Sequence, residues 1–162
     1  MSKTLLVRRE QGFTLIELLI VSIIVGILAT LVAMTYSGVQ AKNRNADRQA
    51  DVNSLQSELE TYYAQKSQYP SLQELSDPKW RKANLKDLSE DALKDPRWDK
   101  DVEACSVKER PTPAAAPTEK CYSYQATATD GSTCTNVGIV CAQYTITSTL
   151  EGGEKYVKSS LN

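Results

Sequence analysis

The chain contains no histidine. Imidazole is the side chain best placed to gain or lose a proton near neutrality, and it is the commonest metal ligand. Its absence argues against His-based acid–base catalysis and against the usual metal centres. No nucleophile motif or glycine-rich phosphate loop stands in its place. The neighbouring carboxylates Glu90 and Asp91 fall where a helix begins and read as capping residues. Asp130 and Gly131, in a C-terminal loop, are too poor in carboxylates to suggest calcium. No catalytic residue, metal or cofactor is expected. Strong net charge is missing too: at −1 over 162 residues, the chain gives no reason to expect a basic nucleic-acid surface. There is no proline before Pro70, no cysteine before Cys105, and no charged side chain anywhere in residues 18–41.

That last gap is the main positive feature. Its 24 residues would rise about 36 Å as a helix at roughly 1.5 Å each, against a hydrocarbon core of about 30 Å. Residues 1–12 carry Lys3, Arg8 and Arg9 against Glu10, a side-chain sum of +2. Basic residues ahead of a span keep the N-terminus cytoplasmic and send the rest outward. One carboxylate, Glu17, stands near the start of the apolar run. A secretory signal cleaved near Leu31–Ala33, or a twin-arginine signal at Arg8–Arg9, is the alternative. Against removal, the run exceeds an ordinary signal core and helical patterning continues beyond it.

Apolar residues recur at Val52, Leu55, Leu59, Tyr62 and Tyr69, with Lys66 at the intervening place. Steps of three and four put them on one helical stripe, opposite Asn53, Gln56, Ser57, Glu60 and Thr61. Arg44–Asp47 and Arg48–Asp51 are spaced as i,i+3 ion pairs. The pattern predicts a single helix over about 13–67, apolar all round in its first half and amphipathic in its second.

Beyond Pro70, Ser and Asp ahead of apolar spacings predict short helices near 71–76, 78–83 and 89–94. The Asp77–Pro78 and Asp95–Pro96 steps break them. Trp80 and Trp98 read as aromatics anchoring loops on a core. Residues 106–120 hold three prolines and three consecutive alanines, which favours an extended surface loop. After Cys121 the period becomes two: Tyr122, Tyr124, Ala126 and Ala128 share one face, and Val140, Ala142, Tyr144 and Ile146 another. Residues 151–154, EGGE, read as a two-residue hairpin turn into a strand at Tyr156 and Val157. The expected fold is α+β, a long helix packed on a small antiparallel sheet.

The four cysteines, Cys105, Cys121, Cys134 and Cys141, lie downstream of the membrane-targeting run and are even in number, as two disulfides in an oxidising compartment would be. A four-cysteine zinc site would need closer pairs than the 15, 12 and 6 intervening residues provide. Of three connectivities, 105–121 with 134–141 is favoured because each bridge closes a local loop.

The stretch GFTLIELLIVSIIVGILATLVAMTY resembles the class III signal and N-terminal helix of type IV pilins and type II secretion pseudopilins. The likeness is close over about residues 8–36 and looser through YYAQKSQYP. It implies cleavage between Gly12 and Phe13 by a membrane prepilin peptidase, and methylation of the new Phe13 amine. It further implies docking through Glu17, whose carboxylate would meet the N-terminal amine of a neighbouring subunit. Gly26 and Tyr36 fall where the family often has those residues. Many pilins carry a proline at the position of Met34 and melt there in the filament. Gly26 remains as the flexible point, but without proline the helix keeps its hydrogen bonds more easily.

The implied organisation is a cleaved leader (1–12), a transmembrane and polymerisation helix (13–41), an amphipathic helix half (42–68), a variable segment (69–120) and an antiparallel sheet (121–162). The implied function is a structural subunit of a surface type IV pilus, for attachment, twitching motility or DNA uptake. The alternative is a pseudopilin of a type II secretion system, and behind it a membrane-anchored or secreted binding module. Expected partners are further copies of the chain in a helical filament, the prepilin peptidase, an assembly ATPase and a platform protein. The subunit would wait in the cytoplasmic membrane and end in an extracellular filament, touching nucleic acid only through DNA uptake.

Overall fold

The computed structural model describes residues 12–107 and 110–162. Helix α1 runs from Leu15 to Lys66, 52 residues, close to the expected span. The chain divides into two compact units, Met1–Gln40 and Ala41–Asn162. The first is the apolar half of α1. In the second, the amphipathic half carries a head of two short helices, two 3-10 turns and two small sheets.

The predicted stripe forms the core of the head. Val52, Leu55, Leu59, Tyr62 and Tyr69 are all buried, with Leu75, Leu85, Leu93, Tyr122, Tyr124, Tyr144 and Ile146 packed among them. Helices α2 (Leu72–Ser76) and α3 (Pro78–Asn84) begin where their caps dictate. Ser71 and Glu74 make a reciprocal capping box, and Asp77 caps α3 with Pro78 in its first turn. The third predicted helix is a 3-10 turn, Glu90–Leu93, capped by Ser89. A second 3-10 turn, Glu103–Cys105, leads into β1 (Ser106–Val107), which pairs antiparallel with β2 (Arg110–Pro111).

The main sheet has the order β3–β4–β5, all antiparallel: Ser123–Thr127, Gln143–Thr149 and Lys155–Ser159. Strand β4 starts later than the alternation suggested. Cys141 makes a lone antiparallel bridge to Tyr69, and Val140 is left exposed. The β4–β5 connection is Leu150–Glu154, with a turn of three residues rather than two inside its closing hydrogen bond. Thr149 pairs with Lys155, and the Leu150 amide donates to the Glu154 carbonyl. Gly152 and Gly153, at φ 97° and 88°, supply the left-handed positions this turn requires. The Pro/Ala segment is the expected surface loop only in part, with Ala115, Ala116, Thr118, Glu119 and Lys120 exposed. Thr112, Pro113 and Ala114 are buried. The Ala114 amide donates to the Tyr122 carbonyl and its carbonyl accepts from the Tyr124 amide, covering the edge of β3.

The predicted i,i+3 ion pairs are replaced by longer connections. Arg48 is 1% exposed and forks onto Asp95, Nε to Oδ2 at 2.7 Å and Nη2 to Oδ1 at 3.0 Å. Its Nη1 reaches Glu151 in the hairpin at 3.1 Å, where Arg44 and Arg97 also converge. Arg48 is drawn inward because a buried guanidinium needs buried acceptors, and Asp51 is already engaged by the Tyr122 hydroxyl at 2.7 Å. Glu60, placed by its spacing on the face opposite the stripe, accepts from the Tyr69 and Tyr144 hydroxyls and the Leu161 amide. Both tryptophans pack on a core as expected, Trp98 from a loop but Trp80 from within α3. Trp80 packs on Tyr62 at 5.3 Å between ring centroids, and Trp98 Nε1 donates to the Cys105 carbonyl at 3.0 Å.

Candidate functional site: the N-terminal helix

The leader residues Lys3, Arg8, Arg9 and Glu10 lie outside the described residues. Gly12 is described, and it is exposed and non-helical, as is Phe13, which is 80% exposed. From Leu15 to Val39 every described large apolar side chain is about half exposed or more. A helix apolar on all sides needs an apolar surrounding beyond its own chain. Among the described residues, α1 is the one helix long and apolar enough to cross a membrane. Its polar side chains are arranged to tolerate lipid. Ser22 Oγ donates to the Leu19 carbonyl at 2.8 Å, and Thr30 Oγ1 to the Ile27 carbonyl at 2.7 Å, so neither hydroxyl is left bare.

Glu17 sits in the first turn of α1, where the exposed amides of a helix start favour a carboxylate. It has partners within its own chain. Its Oε2 accepts from the Thr14 amide at 3.4 Å and the Thr14 hydroxyl at 3.3 Å, and its own amide donates to Thr14 Oγ1 at 3.3 Å. This is the reciprocal S/T-x-x-E cap. Sequence reasoning missed Thr14, although the T-x-x-E spacing was there to be read. Gly26 lies in unbroken helix that continues through position 34 and beyond, with no atom within 4 Å of where a Cβ would stand. Within one subunit, therefore, no packing demand requires glycine here.

The Cys105–Cys121 bridge is formed, with Cα atoms 5.8 Å apart. The expected Cys134–Cys141 bridge is not; both are free, buried thiols. The loop between them is already pinned without it. Cys134 donates its amide to Ala126 and its carbonyl accepts from Leu72, while the Cys141 carbonyl accepts from Tyr69. The Cys141 thiol is held well above its usual range, first by burial and then by its hydrogen bond with Cys134. The head and the docking segment are thus separate features: the predicted assembly residues Gly12, Phe13, Glu17 and Gly26 all lie on the first unit, the cysteines all on the second.

Residues 7–33 match the prokaryotic N-terminal methylation motif. The chain is similar to the type II secretion system core protein G of Dickeya chrysanthemi, 36% identical over 67 residues that cover 41% of this chain and 44% of that protein. It is 41% identical over 69 residues to the same-named protein of Pectobacterium carotovorum, covering 41% and 42%. It is also similar to the type IV major pilin protein PilA of Myxococcus xanthus, 33% identical over 61 residues, covering 38% and 28%. The chain thus spans less than half the length of these curated relatives. No solved structure matches it. A methylation motif placed at the start of an uncovered apolar helix, together with relatives of both kinds, makes the N-terminal part of the chain similar to the type IV pilins and type II secretion pseudopilins.

Proposed function

We propose that the chain is a structural subunit of a type II secretion pseudopilus, assembled through α1, with no catalytic role. The observation that supports assembly most is the uncovered apolar surface from Leu15 to Val39, in which Glu17 is the one charged residue. In this reading the prepilin peptidase cuts between Gly12 and Phe13 and methylates the Phe13 amine. The subunit then waits in the cytoplasmic membrane with α1 in lipid. On extraction, neighbouring helices replace lipid around the same side chains. Glu17 exchanges Thr14 for the Phe13 amine of the next copy, and an assembly ATPase and platform protein drive the process. Gly26 would let the helix bend as copies pack.

The relatives' names favour this over the surface pilus expected first, since the Dickeya and Pectobacterium proteins carry secretion-system names. A type IV pilus remains the second reading, supported by the Myxococcus pilin. Deleting the gene separates them. Loss of protein export with surface filaments intact is expected; loss of surface filaments with export intact would reverse the assignment. Mass spectrometry of the mature chain is expected to find a methylated Phe13. An intact Met1 would remove the assembly reading altogether.

A further inference from the structure

The head carries one apolar patch that neither its core nor α1 uses. Among its described residues, five large apolar side chains are exposed, and three of them, Val137, Ile139 and Val140, fall within four consecutive positions. Backbone bonds hold them out. The Leu72 and Gln73 amides donate to the Cys134 and Thr135 carbonyls at 3.1 and 3.0 Å, and the Val137 amide donates to Gln73 Oε1 at 3.3 Å. The Tyr69 amide donates to the Cys141 carbonyl at 2.9 Å. Loop 134–141 is thus fixed at both ends before any partner arrives. From Gly131 to Leu150 the chain carries no charged side chain.

The patch stands at one end of the head. The residues that pin it, Tyr69 to Gln73, follow the last turn of α1 at Lys66. The β4–β5 turn instead meets Arg44, Asn45 and Arg48, about 33 Å back along the helix. Size limits what can occupy the patch. Three partly exposed aliphatic side chains offer on the order of a few hundred Å², against roughly 800 Å² per partner in a stable interface. A patch this small holds only a partner already brought near by another contact, through raised effective concentration. Copies joined through α1 meet that condition, and a freely diffusing protein does not.

We propose that Val137, Ile139 and Val140 form a second contact between copies of the chain, burying against the head of a neighbour; the inference rests on assembly through α1. Copies whose α1 helices all run the same way are related by a screw and not by a twofold axis. The loop therefore meets a different surface of its neighbour rather than the same loop. Such a heterologous contact repeats without closing, as a filament requires. Identical copies share the sign of their net charge, and an uncharged loop lets them approach without like-charge repulsion.

The test places the photo-crosslinking residue benzoylphenylalanine at position 137 or 140 of the full-length chain, in cells with and without the assembly ATPase. Irradiation is expected to give a two-copy adduct only when the ATPase is present. Mass spectrometry of the adduct should map the joined site outside residues 137–140. A Val137→Asn, Val140→Asn double variant, altered at two exposed positions, should keep its melting temperature and its methylated Phe13. It should nevertheless form about tenfold fewer filaments, counted by electron microscopy. Four results would overturn the contact while leaving assembly through α1 in place: wild-type filament numbers from the double variant, no two-copy adduct in cells that assemble, an adduct with a different protein, or loop joined to loop. Failure of the unaltered chain to assemble at all would remove both readings.

Discussion

Replacing Arg48 with alanine should cost the head far more than any surface charge. Arg48 and Asp95 are each 1% exposed at the side chain, and two hydrogen bonds of 2.7 and 3.0 Å join them. Truncating the arginine leaves Asp95 buried with the Arg97 backbone amide as its remaining donor. Glu151 loses less, because Arg44 and Arg97 still reach it. Removing one partner of a buried pair costs roughly 3–5 kcal/mol. For a unit of this size each kcal/mol lowers the melting temperature by about 3–5 °C, so Arg48→Ala should melt about 10–20 °C lower. Circular dichroism of the full chain in micelles, followed at a wavelength where the sheet reports, measures it. The double variant Arg48→Met, Asp95→Leu should recover most of the loss, since apolar replacement of both partners removes the stranded charge. A single variant within about 2 °C of wild type would refute the claim that this pair holds the helix to the loop after the 3-10 turn.

The remaining predictions address the acid limit, the cysteines and the docking charge. The Arg44 guanidinium, followed by Arg48 and Arg97, holds Glu151 down at about 2 against an ordinary 4.5. Because its folded value is depressed, its contribution is full above about pH 4.5 and is lost as pH falls towards 2; Glu151→Gln should flatten the acid limb of a stability–pH curve while leaving the basic limb alone. Alkylation before and after unfolding should label no thiol in the native chain and two, Cys134 and Cys141, in the denatured one, with a linked Cys105–Cys121 peptide in the non-reduced digest. Glu17→Ala is expected to be processed and inserted normally yet fail to enter filaments, whereas Thr14→Val, which loses only the cap at about 1 kcal/mol, should still assemble. Failure of Thr14→Val alongside normal helix content would shift the docking role from Glu17 to the cap.

The legible parts of this chain are those with local causes. The stripe from Val52 to Tyr69 could be read because burial of one helix face is periodic in sequence, and the caps at Ser71, Asp77 and Ser89 because a cap acts within three residues. The partners of Arg48 lie 47 and 103 residues away, and no local spacing announces them; the i,i+3 carboxylates were the nearer but wrong candidates. The late start of β4 has the same origin, since alternation continues through Val140 and Ala142 but Cys141 is claimed by Tyr69 from the far side of the sequence. The unformed second bridge shows that counting cysteines finds residues that end up together without deciding whether they join.

Glu17 is the residue whose meaning changes most. As a bare carboxylate in an apolar run it would be an unsatisfied charge, and docking would look like relief of that cost. In the folded subunit it already accepts two hydrogen bonds from Thr14. In the proposed assembly it therefore trades one set of partners for another, and such an exchange returns little net free energy. The driving force must come from elsewhere, and the exposed side chains from Leu15 to Val39 are the candidates. Lipid tails are as apolar as those side chains, so the gain on leaving the membrane is close packing rather than escape from water. That gain has little preference for register, because one apolar face slides over another at small cost. A charge pair between Glu17 and a neighbour's Phe13 amine has a strong preference, since any displaced register leaves both charges unmatched in an apolar surrounding. Glu17 then selects the step between subunits. Moving the carboxylate by one turn, in a Glu17→Gln, Val21→Glu double variant, should give subunits that associate but in irregular or shifted assemblies, visible as a lost or altered helical repeat.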